Sequence, residues 1–266
     1  MEWSNDIEAI IKHVPEQPIS VAMVRQIVSV LDYTRLEPTD SESEIASFCQ
    51  KAENVYGKVA AVCVLPSFIQ MAKHVLDAKG IPVATVANFP LGTEPLDQVL
   101  SDIKQALQIG AEEIDVVFPY QRYLNGEHQY ARQFVEACKI AADNKKLKVI
   151  IETGAFHDLA VIAEVANDAL IAGADFIKTS TGKGLPGATV EAVATMALIV
   201  KKLQPELQRP LGLKVSGGVK EIKQAAHYMS LVQHILGEQY LTARTFRIGA
   251  SHLMDQLLHF NTSISA

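Results

Sequence analysis

The sequence predicts one α/β domain, a parallel (β/α)8 barrel of the TIM type, on three observations. The chain has 266 residues, close to the roughly 250 that one such barrel takes. Short runs rich in Val, Ile and Ala recur along it, and they are continuously apolar rather than alternating, as strands covered on both faces should be. Longer amphipathic stretches separate these runs, so that eight βα units can be traced. An open doubly wound sheet shares the alternation, but eight units in 266 residues favour closure.

Taken in order, the strands are expected at residues 28–33, 59–65, 83–88, 113–118, 148–152, 176–179, 211–215 and 246–248. A helix follows each. In the third unit Leu96, Val99, Leu100, Ile103, Ala106 and Leu107 share one face, while Asp97, Ser101, Asp102 and Lys104 fall elsewhere, the stripe of a helix packed on a sheet. The stretches at 109–116 and 171–178 resemble each other, each with a Gly (Gly110, Gly173) ending a helix just before a strand. No linker or low-complexity segment divides residues 1–266. Residues 1–20 are expected to form an N-terminal helix and turn outside the repeat, and 261–266 a loose tail.

Hydrophobic residues make up 48% of the chain and charged ones 20%, enough for a core and unlike a disordered chain. A net charge of −6 gives no basic stripe for nucleic acid or an anionic membrane, so neither is an expected partner. Glu2, Asp6, Glu8, Pro15 and Glu16 make the start unlike a secretory signal. No apolar run approaches the ~20 residues of a membrane span. Cys49, Cys63 and Cys138 lack metal-ligand spacing and read as reduced thiols in a cytoplasmic protein. The eight histidines show no ligand pattern either, so neither a metal nor any other cofactor is expected.

In a barrel the chemistry gathers where strands end. Those positions hold Asp32, Cys63, Asn88, Asp115, Glu152, Lys178 and Lys214. Lys178 follows Phe176-Ile177, where an ammonium is costly to bury without a purpose. A strand-end lysine can simply pair with a carboxylate; what raises Lys178 above that is Lys214 at the equivalent place on the next strand. A lysine attacks a carbonyl only as the neutral amine, and at a reference pKa of ~10.4 roughly one molecule in 2,500 is neutral at pH 7. Because Thr179, Ser180 and Thr181 suggest a wetted turn, the nearby Lys214 cation is expected to be the main cause of a lowered pKa, ahead of desolvation. Asp115, between Ile114 and Val116, is the candidate for proton transfer. Asp32 is read equally as a participant or as an ion pair holding a lysine, and Glu152 as a contact to substrate or to the lysines. Cys63 reads as a small core residue.

Glycine-bearing loops follow the last three strands: Thr181-Gly182-Lys183, Ser216-Gly217-Gly218 and Gly249-Ala250-Ser251. Their backbone N–H groups, with the helix N-termini beyond them, suit a phosphate. Three such loops on neighbouring strands are far more specific than one.

These residues bring the chain into line with a known family. The motifs Leu31-Asp32-Tyr33-Thr34, Asn88-Phe89-Pro90-Leu91-Gly92, Glu113-Ile114-Asp115-Val116-Val117, Phe176-Ile177-Lys178-Thr179-Ser180-Thr181-Gly182-Lys183 and Leu213-Lys214-Val215-Ser216-Gly217-Gly218-Val219 resemble those of the 2-deoxyribose-5-phosphate aldolases, in order over about residues 30 to 220. That resemblance implies a cofactor-free class I aldolase, with a homodimer as the expected assembly and a sugar phosphate and acetaldehyde as its small-molecule partners. It assigns Lys178 as the Schiff-base lysine, Lys214 as the lysine that perturbs it, and Asp115 as the proton-transfer acid. It assigns Gly182, Lys183, Gly217, Gly218, Gly249 and Ser251 to the phosphate. Lys220 stands where the family commonly has arginine and His252 where a second serine is frequent, and the last tyrosine is Tyr240, so no tail tyrosine is expected at the site.

Overall fold

The structure is a computed structural model, and it describes residues 3–260. Eight parallel strands close into a barrel: β1 (Leu31–Arg35), β2 (Ala61–Val64), β3 (Val83–Ala87), β4 (Glu113–Val117), β5 (Lys146–Ile150), β6 (Phe176–Lys178), β7 (Gly212–Ser216) and β8 (Phe246–Ala250). Each pairs with the next in sequence, and β8 closes onto β1 through Leu31 opposite Ile248 and Asp32 opposite Gly249. This is the (β/α)8 barrel that the alternation predicts. The expected tail at 261–266 lies outside the described residues, as do Met1 and Glu2.

Between the strands run helices including Glu42–Gln50, Ile69–Leu76, Leu96–Gln108, His128–Ala142, Leu159–Ile171, Val190–Leu207 and Ile222–Leu236. In Leu96–Gln108 the buried side chains are Val99, Ile103 and Ala106, members of the predicted stripe. The two similar joins share one construction. Gly110 and Gly173 take positive φ of 112° and 105°, which a glycine adopts without strain. At each join a lysine from the preceding unit reaches the acid that follows: Lys73 to Glu112 at 2.6 Å and Lys139 to Asp175 at 2.7 Å.

The N-terminal part departs from expectation. Besides the helix Trp3–Lys12 there is a second, Val21–Ser29, which takes residues 28 and 29 out of the predicted first strand. The Ser20 side chain caps it by accepting the Met23 N–H at 3.2 Å, and Met23, Val24, Ile27 and Val28 form its buried face. The helical spacing of those residues prevails over the strand preference of β-branched Val28 and Val30. A small hairpin, Glu53–Asn54 with Gly57–Lys58, lies outside the barrel and was not expected.

The barrel interior is divided. On the β1–β3 side Ala61, Cys63, Ala84 and Val86 form a small apolar cluster with Leu36. The opposite side carries charge, because β4 to β8 and β1 turn Glu113, Asp115, Lys148, Lys178, Lys214, Arg247 and Asp32 toward one another as ion pairs. Lower in the barrel Gly212 makes room for Phe176, whose ring a Cβ at 212 would approach to 2.3 Å. The Arg247 guanidinium lies 5.6 Å from the centre of that ring, within cation–π range.

Candidate active site

Lys178 and Lys214 face each other directly in the register of β6 and β7. The ends of the two strands are tied together beyond the sheet: Thr179 Oγ1 donates to the Ser216 carbonyl at 2.8 Å and accepts the Ser216 N–H at 2.9 Å, and Ser216 Oγ donates to the Ser180 carbonyl at 2.6 Å. Thr179 and Ser180 are fully buried, so of the turn expected to be wet only Thr181 reaches the cleft.

Both amines converge on one atom. Asp115 Oδ2 accepts from Lys178 Nζ at 2.8 Å and from Lys214 Nζ at 2.7 Å, while its other oxygen takes Lys148 Nζ at 2.8 Å. Beneath this layer Asp32 holds Lys214 at 2.5 Å, Lys148 at 3.4 Å and Arg247. Glu113 completes the array, 2.7 Å from Lys148 and 2.9 Å from Arg247. Asp32 is thus ion-paired to Lys214, the contact that one of the two readings of its sequence position expects.

Burial and charge act differently on each member. For Lys178 burial is the largest influence and lowers its pKa from the ordinary 10.5; Asp115 opposes this and Lys214 adds to it. Desolvation therefore leads and the Lys214 charge follows, the reverse of the order expected from sequence. Burial also acts against Lys148 and Lys214 as cations, but their carboxylate partners outweigh it, and both end above the ordinary value. Burial would raise Asp115, yet Lys148, Lys178 and Lys214 together hold it well below the usual carboxylate range. Lys178 is the one lysine of the three that loses affinity for its proton.

Lys178 also opens onto solvent. It lines a cleft of about 910 Å³ together with Gly182, Lys183, Gly217, Gly218, Gly249 and Ser251, whereas Lys214, Asp115 and Asp32 lie below its floor. Gly182, Gly217 and Gly218 take φ of 75°, 87° and 89°. Among the described residues, no protein group accepts a hydrogen bond from the Gly217 or Gly218 N–H, which leaves both free for an anion. Helix starts lie close to two of the three loops, at Ile222 after β7 and Leu253 after β8, whereas after β6 the next helix starts only at Val190, well beyond Gly182. Ser251 Oγ is 2.9 Å from His252 Nδ1. Lys183 lies at the rim, bonded to Glu37 at 2.8 Å.

Three neighbouring residues resolve differently. Glu152, left-handed at φ 58°, accepts the Thr181 N–H at 3.1 Å and so shapes the loop before Gly182 rather than pairing with a lysine. Asn88 bridges the Val117 carbonyl and the Glu94 N–H, each at 2.9 Å. Cys63 is buried in the apolar cluster, and burial pushes its thiol up to about 11, as a core residue. Glu113, Lys148 and Arg247 are the functional candidates that strand ends alone do not reveal.

A buried amine of lowered proton affinity thus lies against a glycine-lined cleft at the C-terminal mouth of a (β/α)8 barrel. Residues 27–240 match the DeoC/LacD family aldolase, and the chain belongs to that family. Among solved structures, a Coccidioides immitis protein bearing the name deoxyribose-phosphate aldolase is 30% identical, with 97% of this chain and 96% of that one covered and a TM-score of 0.78. A Toxoplasma gondii protein so named is 25% identical over 90% of this chain and 95% of its own, with a TM-score of 0.81. The deoxyribose phosphate aldolase of Aeropyrum pernix, a tetramer, is 24% identical, covers 97% of both chains and has a TM-score of 0.73; at that identity it bears on the fold alone.

Proposed function

We propose that this chain is a class I aldolase that reversibly cleaves 2-deoxy-D-ribose 5-phosphate to D-glyceraldehyde 3-phosphate and acetaldehyde through a Schiff base on Lys178. The observation that carries this reading is that, among the described residues, Lys178 alone combines a lowered pKa with access to the cleft. In the synthetic direction the Lys178 amine adds to acetaldehyde, and the carbinolamine expels water to give an iminium ion. Loss of a methyl proton gives the enamine, which attacks the aldehyde carbon of glyceraldehyde 3-phosphate; water then releases the product and restores the amine. Asp115 relays protons between Lys178 and Lys214 in this reading, which is supported by its bonds to both amines. Lys214, held by Asp32 and Asp115, disfavours a second cation beside it.

The phosphate is assigned to the N–H groups of Gly182, Gly217 and Gly218, with Lys183 and Ser251 from the flanking loops. Lys220 also lines this part of the cleft; it offers a point charge rather than a bidentate fork.

Borohydride reduction with acetaldehyde, followed by peptide mass spectrometry, tests the assignment. One reduced two-carbon adduct is expected, on Lys178. A protein that binds the sugar phosphate but forms no adduct and cleaves no carbon–carbon bond would be a non-catalytic barrel, and the proposal would fall.

A further inference from the structure

Seven ionisable side chains inside the barrel form one ion-paired array of four bases and three acids. We propose that Arg247 and Glu113, which do not touch the cleft, are positioning residues that set the charge balance of this array and thereby leave Lys178 as the base without a proton. The inference rests on the reading of Lys178 as an amine nucleophile.

Two alternating chains of charge run from Arg247 to Lys178. Along the first, Arg247 pairs with Asp32, Asp32 with Lys214 at 2.5 Å, Lys214 with Asp115 at 2.7 Å, and Asp115 with Lys178 at 2.8 Å. Along the second, Arg247 pairs with Glu113 at 2.9 Å, Glu113 with Lys148 at 2.7 Å, and Lys148 with Asp115 at 2.8 Å. All seven side chains are buried, so solvent screens them little, and a net charge in such a place is costly. With every group ionised the array carries one surplus positive charge, four against three; it becomes neutral when one base gives up a proton.

The contacts decide which base that is. Arginine does not deprotonate in proteins. Lys148 touches three carboxylates and Lys214 two, whereas Lys178 touches one, whose oxygen it shares with Lys214. Lys178 is the least firmly held, and through the cleft it has an exit for its proton. The other titratable groups facing it are Cys63 on β2, whose thiol stays protonated, and Glu152 after β5, whose carboxylate is occupied by the Thr181 N–H. Lys146 also pairs with Glu113, at 2.8 Å, but from the solvent side, where its charge is screened.

Removing either end of the array should therefore move Lys178 in opposite directions. The measurement uses the full chain and does not depend on turnover: initial rates of reductive methylation by formaldehyde and cyanoborohydride are followed at the Lys178 peptide by mass spectrometry across pH, normalised to exposed Lys201. Arg247→Met leaves three acids against three bases and should raise the Lys178 midpoint by a unit or more, cutting its reactive fraction at pH 7 about tenfold. Glu113→Gln should lower the midpoint. The double variant should return it toward the parent, and Arg247→Lys, which keeps the charge, should leave it there. Midpoints that stay fixed, or that move the same way in both single variants, would show that the two residues only brace the barrel. If Arg247→Met does not fold, Glu113→Gln and Arg247→Lys still decide the matter. A parent with a depressed midpoint but no acetaldehyde adduct would refute the aldolase reading and leave the charge array standing.

Discussion

Gly249 on β8 and Lys214 on β7 meet so closely that a Cβ at 249 would lie 2.9 Å from Lys214 Cε and 3.0 Å from Ser216 Cβ. The backbone at 249 is not left-handed, so contact alone explains the glycine. A free lysine would swing aside, but Lys214 is pinned by Asp32 and Asp115 at 2.5 and 2.7 Å. Gly249→Ala should therefore shift the amine or break one of these pairs. The expected result is at least a tenfold loss in kcat/KM with a stability loss of about 1–3 kcal/mol, typical of overpacking. Full activity in a folded Gly249→Ala protein would mean that the exact seat of Lys214 is unimportant.

Lys178 should cost the fold stability. Its pKa is below the ordinary 10.5, chiefly through burial, so between the folded value and 10.5 the unfolded chain binds a proton that the folded one does not. Stability then rises with pH across that window, and below it the full penalty applies, about 1.4 kcal/mol per unit of depression. Lys178→Met should abolish the acetaldehyde adduct yet melt higher than the parent at pH 7, with the difference shrinking as pH approaches 10.5. Thermal melts from pH 6 to 10 check this; a variant less stable at every pH would count against a depressed amine.

The sign is opposite for Glu113. Burial raises its pKa, but Lys148 and Arg247, with Lys146, draw it down to about 2 from 4.5. Its contribution is complete above 4.5 and is lost as pH falls toward 2, a span worth about 3 kcal/mol. Glu113→Gln should be destabilised by that order at pH 7, and its stability should fall less steeply than the parent's between pH 4.5 and 2. Chemical denaturation at pH 7, 4 and 3 measures the difference, and parallel curves would contradict the ionic role of Glu113.

Much of the site could be read from the chain because Lys178 and Lys214 interrupt apolar runs at the ends of strands, where barrels place chemistry. Glu113, Lys148 and Arg247 escaped notice because they sit lower in their strands, where side chains normally pack layers of the core. A signal existed: Glu113 and Asp115 are two apart on one strand and so share a face, which demands cations opposite them. The source of the Lys178 shift is not legible in the sequence because hydroxyl residues suggest water. Thr179 spends its hydroxyl on Ser216, and no sequence pattern shows which hydroxyls are so engaged. The strands themselves were legible from hydrophobic runs, apart from the first, where helical spacing and β-branching pointed in different directions.

At the rim of the cleft, Lys183 is bonded to Glu37 across the mouth at 2.8 Å, with 34% and 60% of the two side chains exposed. An ion pair so open to solvent holds its partners weakly, and a dianionic phosphate in the cradle offers Lys183 a stronger, charge-assisted bond. Lys183 should therefore exchange Glu37 for substrate, and Glu37 competes with the phosphate. Lys183→Met is expected to raise KM for deoxyribose 5-phosphate about tenfold, equivalent to ~1.4 kcal/mol, while borohydride trapping of acetaldehyde at Lys178 proceeds at the parent rate, because acetaldehyde carries no phosphate. Glu37→Gln should lower KM a few-fold and leave kcat unchanged. Steady-state kinetics at low and high salt separate these effects: the Glu37→Gln gain should fade as salt screens the parent ion pair. Equal losses of trapping and of sugar phosphate affinity in Lys183→Met would place that lysine in the amine chemistry instead of at the phosphate.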